Sequence, residues 1–154
     1  MLSEKENQEI NAELAHCATK ASASVEALNI IQRHRGWVSD EAVNDIAQVL
    51  DMTPDELDAV ATFYSFIFRR PVGKHVILIC DSISCWVMGY NPLLDIVKIR
   101  LGIAFGETTR DKQFTLLPIS CLGACDRAPA MMVDEDLYGP VTPEIFEGIL
   151  GKYK

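Results

Sequence analysis

Residues 75–80 form the apolar run HVILIC, which ends on a cysteine. A short run of β-branched and leucine residues bounded by turn residues predicts a buried strand over residues 75–79, with Cys80 at its carboxyl end. A second such run, Phe114–Ile119, predicts another strand that delivers Cys121 just beyond it. Two strands that each lead into a cysteine predict a sheet whose strand ends hold the functional residues.

The segments around these strands complete a β-α-β-β-α order. Apolar residues at helical spacing predict a helix over residues 91–101, which can cross over a sheet. Residues 131–133 predict a third strand, and the acidic residues 134–136 predict a polar turn after it. A final helix is expected after Thr142, because threonine caps helices and proline follows at the first helical position. We therefore expect a small sheet with helices on its faces.

Four helices are expected in the first 70 residues. A polar stretch with a narrow apolar stripe predicts one over residues 3–17, and a second is expected from about Ser24 to Gly36. Ser39 and Thr53 are expected to cap the third and fourth, the latter with proline and glutamate in a capping box. The predicted organisation is an N-terminal helical module over residues 1–70 and an α/β domain over residues 71–154.

Four of the five cysteines form two close pairs. Cys80 and Cys85 have the spacing C-x4-C, Cys121 and Cys125 have the spacing C-x3-C, and thirty-five residues separate the pairs. The fold must bring two loops together, which suits a 2Fe-2S cluster with one iron bound by each pair. The sequence therefore predicts one 2Fe-2S cluster with these four thiolates as metal ligands, in an electron carrier without catalytic residues.

Other kinds of site also use cysteine pairs. Structural zinc takes four thiolates, but zinc knuckles and ribbons favour C-x2-C pairs, and both spacers here are longer. Disulfides are typical of exported chains, whereas the amino terminus lacks the basic and apolar regions of a signal peptide. A Rieske centre needs two histidines near the cysteines, and His16, His34 and His75 are not placed that way. Structural zinc remains the non-redox alternative.

Composition narrows the possible partners. The net charge of −8 and the absence of a lysine or arginine stripe disfavour nucleic acid and anionic lipid surfaces. The longest apolar runs are far shorter than the roughly 20 residues of a membrane-spanning helix, so direct membrane insertion is not expected. With 49% hydrophobic residues the chain can bury a core, and the isolated Cys17 is expected to be a surface or partly buried thiol outside the site.

Several motifs resemble one family of redox subunits. They are Gly36-Trp37-Val38, Ala61-Thr62-Phe63-Tyr64, Pro71-Val72-Gly73-Lys74-His75 and Cys121-Leu122-Gly123-Ala124-Cys125, with Ala128-Pro129 just beyond. From about residue 24 onwards, the chain resembles the thioredoxin-like 2Fe-2S subunits of NADH:quinone oxidoreductase, the E subunits of bacterial respiratory complex I. The resemblance implies a thioredoxin-like ferredoxin domain preceded by a helical extension, and it matches the family's four cluster ligands to Cys80, Cys85, Cys121 and Cys125.

The resemblance also implies a partner and a location. In that family, FMN and the NADH site lie on a partner flavoprotein, the F subunit, and the cluster of the E subunit exchanges electrons with that FMN as a side branch. This implies a heterodimer within a larger cytoplasmic assembly that is peripheral to the inner membrane. The equivalent diaphorase subunits of NAD-linked hydrogenases and formate dehydrogenases are the alternative. The sequence shows no G-x-G-x-x-G after a strand, so nothing in it supports NAD or flavin bound by this chain alone.

Two segments differ from many relatives, and a third bears on the partner. Ser120 stands before the third ligand where an acidic residue is frequent, so we expect a raised midpoint potential. Trp86-Val87-Met88 is apolar where relatives are often more polar. Shielding of the cluster and contact with the flavin subunit are two interpretations, but large apolar side chains are usually buried, so core packing is the slightly favoured expectation. If the helical module holds a flavoprotein, Phe66, Ile67 and Phe68 are expected to be only partly covered.

Overall fold

A computed structural model describes residues 1–153. The chain divides into two compact units, with the boundary in the sequence after Pro71. The first unit is helical, and the strands all belong to the second. Within residues 1–153, no helix combines the length and the apolar character that crossing a lipid bilayer requires.

The first unit contains four α-helices, as predicted. They are α1 (Glu4–Leu14), α2 (Ser24–Arg35), α3 (Asp40–Leu50) and α4 (Pro54–Phe63), with a short 3-10 helix (Lys20–Ala23) before α2. Ser3 and Thr53 form capping boxes, and Ser39 accepts a hydrogen bond from the N–H of Ala42. Helix α1 is shorter than the predicted residues 3–17. It ends at Leu14, which is the last apolar residue of its stripe.

Helix α2 packs against the other three helices of this unit. The core between them consists of fully buried aliphatic side chains, among them Ile10, Leu28, Ile31, Ile46, Leu50 and Leu57. Arg35 on α2 forms an ion pair with Glu6 on α1, with 2.7 Å from Nε to Oε1, and this guanidinium lowers the pKa of Glu6 to about 2. Cys17 is partly buried against the same core, which confirms the expectation for this thiol.

The second unit contains a four-stranded sheet in the order β2-β1-β3-β4. The strands are β1 (His75–Cys80), β2 (Phe114–Ile119), β3 (Met131–Val133) and β4 (Asp136–Tyr138). The three predicted strands are confirmed. Strand β4 was not predicted, because all three acidic residues 134–136 were assigned to the turn. In the structure Asp134, with a φ of 53°, and Glu135 suffice for the turn, so Asp136 pairs with Val133.

Three α-helices complete the second unit. They are α5 (Ile83–Met88), α6 (Tyr90–Leu101) and α7 (Pro143–Leu150), and short 3-10 helices cover Cys125–Arg127 and Gly151–Tyr153. Helices α6 and α7 confirm the predictions, whereas the six-residue α5 was not predicted. The main core of this unit includes Ile77, Ile79, Val97, Leu116 and Phe146.

Strands β1 and β2 lie next to each other and run parallel, with Cys80 opposite Ile119 in the register. A parallel pair needs a crossover connection, which α5 and α6 provide. The carboxyl ends of the two strands therefore lie at the same edge of the sheet, and each leads directly into one cysteine pair.

Candidate metal centre

The first cysteine pair is buried. Cys80 is the last residue of β1, its N–H donates to the carbonyl of Ala130 at 3.1 Å, and it is 2% exposed. Cys85 is the third residue of α5, is 1% exposed, and packs in the same buried cluster as Cys80. The end of β1 and the start of α5 thus hold both thiols side by side within the protein.

The second cysteine pair is exposed. Cys121 follows β2 by two residues, and Cys125 begins the 3-10 helix Cys125–Arg127. Between them, Gly123 has a φ of 71°, a conformation that favours glycine, and its N–H donates to Cys121 Sγ at 3.3 Å.

The two cysteine loops touch each other. Cys80 and Cys85 pack in one apolar cluster with three alanines of the second loop and its continuation, Ala124, Ala128 and Ala130, and with Leu122. On the outer side, Cys125 shares a hollow with residues of α5. The fold therefore brings the loops that carry the two predicted pairs into contact.

Hydrogen bonds around the buried pair affect its ionisation. Burial raises the pKa of Cys80, but hydrogen bonds with Ser82, the backbone of Leu122 and Cys85 outweigh it, and the resulting pKa is lower than usual. Burial raises the pKa of Cys85; a hydrogen bond with the backbone of Ala130 opposes the shift, and the neighbouring Cys80 adds to it. Cys80 is thus the thiol of this pair that ionises more readily.

These residues fit a two-iron cluster. Within the described chain, no three His, Cys, Asp or Glu side chains form a preformed site for one metal ion. The loops that carry the two pairs are in contact, and a 2Fe-2S cluster would take one iron at each pair. Soft thiolate ligands suit iron–sulfur chemistry, and the N–H of Gly123 already points to a ligand sulfur.

The surface beside the pairs corrects one prediction. Trp86, Val87 and Met88 are 57%, 69% and 62% exposed, not buried in the core as expected. The reason is the shortness of α5, which buries only Cys85 and leaves its remaining apolar side chains, including Ile83, on the outside. An exposed apolar surface therefore adjoins Cys125.

The apolar residues of the first unit only partly follow their prediction. Phe66 is 47% exposed and Phe68 is half-buried, as expected, whereas Ile67 is buried in the core of the unit. Two further aromatic side chains at the end of α4 were not predicted to be uncovered, yet Phe63 is 79% and Tyr64 is 45% exposed.

Sequence reasoning missed Ser82 as part of the site. Its hydroxyl lies 3.5 Å from Cys80 Sγ, and it stands at the N-cap of the unpredicted helix α5. A serine two residues after a ligand cysteine is a weak signal unless a helix is known to start there. Ser120, which the sequence singled out, is exposed next to Cys121.

Comparisons with known proteins agree with this geometry. A family model described as thioredoxin-like 2Fe-2S ferredoxin matches residues 10–154. The E subunit of the NADH-quinone oxidoreductase of Pseudomonas aeruginosa is 46% identical over 153 residues, and that of Escherichia coli is 47% identical over 153 residues. In both cases the alignment covers 99% of this chain and 92% of the relative.

Among solved structures, the NAD+-reducing NiFe-hydrogenase is similar, with a TM-score of 0.72 and 21% identity. The match covers 85% of this chain and 22% of the hydrogenase chain. At this identity the likeness shows the fold alone, so it does not select a hydrogenase over other NAD-linked complexes.

The expected cofactor, one 2Fe-2S cluster rather than a zinc ion, is the one that the description of the matching family states. Near-complete coverage of two E subunits at 46% and 47% identity also confirms the resemblance found in the sequence motifs. The chain therefore belongs to the thioredoxin-like 2Fe-2S ferredoxin family, among the E subunits of NADH-quinone oxidoreductases.

Proposed function

We propose that Cys80, Cys85, Cys121 and Cys125 bind one 2Fe-2S cluster and that this chain carries electrons within an NADH-quinone oxidoreductase. The observation that carries the proposal is the contact between the cysteine loops, in which Leu122 of the second loop packs against the cluster of side chains that contains Cys80 and Cys85. Because β1 and β2 are parallel neighbours, this contact belongs to the fold itself. This supports the convergence of the two pairs on one cluster.

When bound, the cluster supplies a one-electron redox couple. The chain's own residues set its surroundings. Burial of Cys80 and Cys85 keeps water from one pair, and the N–H of Gly123 donates to the sulfur of Cys121 in the other. Hydrogen bonds to ligand sulfurs stabilise the more negative reduced state, whereas apolar surroundings disfavour it.

The proposed electron partner is the FMN of the F subunit in the NADH-oxidising arm of the complex. The E subunits of two bacteria support this assignment through their identity with the chain over 99% of its length. The exposed apolar side chains of α5 beside Cys125 offer a surface of the kind that a subunit interface covers. We also propose that residues 1–70 act as a docking module and residues 71–154 as the ferredoxin domain, in a cytoplasmic assembly peripheral to the inner membrane.

Metal analysis tests the ligands. The anaerobically purified chain should contain two irons and two acid-labile sulfides, the composition of one 2Fe-2S cluster. Alanine variants of Cys80, Cys85, Cys121 and Cys125 should each lose the cluster, whereas Cys17→Ala should keep it because Cys17 lies in the first unit. Retention of the full cluster in any of the four variants would remove that cysteine from the ligand set.

Reduction by NADH tests the partner. The chain co-purified with the F subunit and its FMN should show the spectrum of the reduced cluster when NADH is added anaerobically. The same pair, with the F subunit stripped of FMN, should stay oxidised. Equal reduction with and without FMN would argue against the proposed electron route while leaving the cluster assignment intact.

A further inference from the structure

Ser82 differs from the other capping residues of the chain. The side chains of four other capping residues each accept a hydrogen bond from the N–H three residues further on. These residues are Ser3, Ser39, Thr53 and Thr142. Ser82 has the same extended conformation at the start of α5, with φ −92° and ψ 162°, yet its side chain makes no such bond within residues 1–153. A serine at this position ordinarily caps the helix, so its hydroxyl has another use here.

The hydroxyl oxygen of Ser82 instead accepts a hydrogen bond from the Cys80 thiol. Ser82 Oγ lies 3.5 Å from Cys80 Sγ, within hydrogen-bond range for sulfur, and the serine is half-buried. A thiolate that binds iron carries no proton and can only accept a hydrogen bond. In the loaded protein the serine hydroxyl must therefore be the donor of this pair.

We propose that Ser82 is a positioning residue that donates a hydrogen bond to Cys80 Sγ and thereby raises the midpoint potential of the cluster. This inference rests on the proposed role of Cys80 as a ligand. Reduction adds one electron to the cluster and makes the ligand sulfurs more negative. A donor at one sulfur stabilises the reduced state more than the oxidised state, so electron uptake becomes more favourable.

The geometry separates this role from a structural one. Removing the Ser82 hydroxyl breaks no capping bond, so helix α5 should keep its stability. By contrast, the hydroxyl of Thr142 accepts from the N–H of Ile145 at 3.4 Å and serves α7 within the same unit. Thr142→Ala is therefore the matched control, since it removes a capping bond without touching a cysteine.

The test uses three variants of the full-length chain with its cluster, Ser82→Ala, Ser82→Thr and Ser82→Val. Threonine and valine have nearly the same shape and differ in the hydroxyl. We expect the Ala and Val variants to have a lower midpoint in EPR-monitored redox titrations, and the Thr variant to match the parent. At a fixed potential, the reduced-to-oxidised ratio should fall severalfold; a tenfold fall corresponds to about 59 mV for one electron. Thr142→Ala should lower the thermal midpoint and leave the potential unchanged.

Each outcome decides a different point. A parent chain without iron and sulfide would overturn the ligand assignment and this inference with it. A parent with its cluster and an unmoved midpoint in the Ala and Val variants would overturn only the role of Ser82. If neither hydroxyl-free variant keeps its cluster, pulsed EPR of the reduced parent after brief exchange into D2O decides. A rapidly exchanged, coupled deuteron in addition to the one on the Gly123 N–H supports the hydroxyl donor, and the lack of such a second deuteron overturns it.

Discussion

The two cysteine pairs differ in how the chain holds them. Cys80 and Cys85 are almost fully buried between the end of β1 and helix α5, whereas Cys121 and Cys125 are exposed in a loop after β2. Strand β1 is an interior strand with a neighbour on each side, and β2 lies at the edge of the sheet. The first pair is therefore part of the core, and the second is the pair that solvent or a partner can reach.

This difference suggests that the two cysteine pairs have different roles within one site. The buried pair gives the cluster a rigid, water-poor half whose geometry the core determines. Cys125 of the exposed pair lies beside the uncovered apolar side chains of α5, so this is the half that the proposed partner would reach. Matched substitutions in the two halves can contradict that division.

The largest difference is expected in the strands that carry the pairs. Ile77 of β1 is fully buried, and Ile77→Ala should lower the free energy of unfolding by about 2–5 kcal/mol. Leu117 of β2 is only partly buried, and Leu117→Ala should cost about 1 kcal/mol. Urea titrations of both variants without the cluster measure this. Equal losses would show that the edge strand is held as firmly as the interior one.

Thiol reactivity compares the pairs directly. In the cluster-free chain at neutral pH, a maleimide should modify Cys121 and Cys125 about 100-fold faster than Cys80 and Cys85. The buried thiols react only after the surrounding structure opens locally, and a 100-fold slower reaction corresponds to an opening free energy of about 3 kcal/mol. Mass spectrometry of timed digests assigns each rate, and the partly buried Cys17 should fall in between. Similar rates at all four sites would contradict the buried and exposed halves.

A glycine substitution should affect only the exposed half. Gly123 has a φ of 71° and room for a methyl group, so Gly123→Ala adds backbone strain without a clash, worth about 1 kcal/mol. Its N–H donates to Cys121, so the strain should also speed cluster loss, which the decay of visible absorbance follows.

Gly102 provides the matched control for this strain. It has a φ of 66° at the end of α6 and likewise has room for a methyl group. Gly102→Ala should lower the unfolding free energy as much as Gly123→Ala does, while the cluster decays at the parent rate. Equal cluster decay in both glycine variants would mean that global stability, not the loop, governs retention.

The buried half was the easier one to predict from the sequence. Burial imposes a recognisable pattern on both elements of this half, a continuous apolar run before Cys80 and apolar residues at helical spacing in α6. Both elements appear where expected. In the first unit, the helix caps at Ser39 and Thr53 could be predicted equally well, because capping depends on side chains close in sequence. These features are encoded within a few residues of where they act.

The surroundings of helix α5 and the contacts between the cysteine loops were harder to predict, for a physical reason. Helix α5 is too short to show a period, and the apolar Trp86 on it predicts burial if only the chain's own core is considered. The contact of Ser82 with Cys80 depends on where that helix begins. The contact between Leu122 and Cys80 needs strands β1 and β2 paired in register, which motifs alone do not specify.

The smallest effect is expected at Ser120, exposed next to Cys121 of the reachable pair. Ser120→Glu adds a negative charge that disfavours electron uptake, so the midpoint potential should fall. A unit charge roughly 6 Å away in water contributes about 0.7 kcal/mol, equivalent to about 30 mV for one electron. Redox titration against the parent measures the shift.

Gln113→Glu is the control for charge alone. It adds the same charge just before the opposite end of β2, about 20 Å from Ser120 at the usual rise of a strand, which is beyond the Debye length at physiological salt. Its midpoint should therefore equal that of the parent. An unchanged or raised midpoint in Ser120→Glu would refute the idea that the serine favours reduction. A fall of the same size in both variants would instead assign the effect to net charge, and the exposed pair would then have no local control over the cluster.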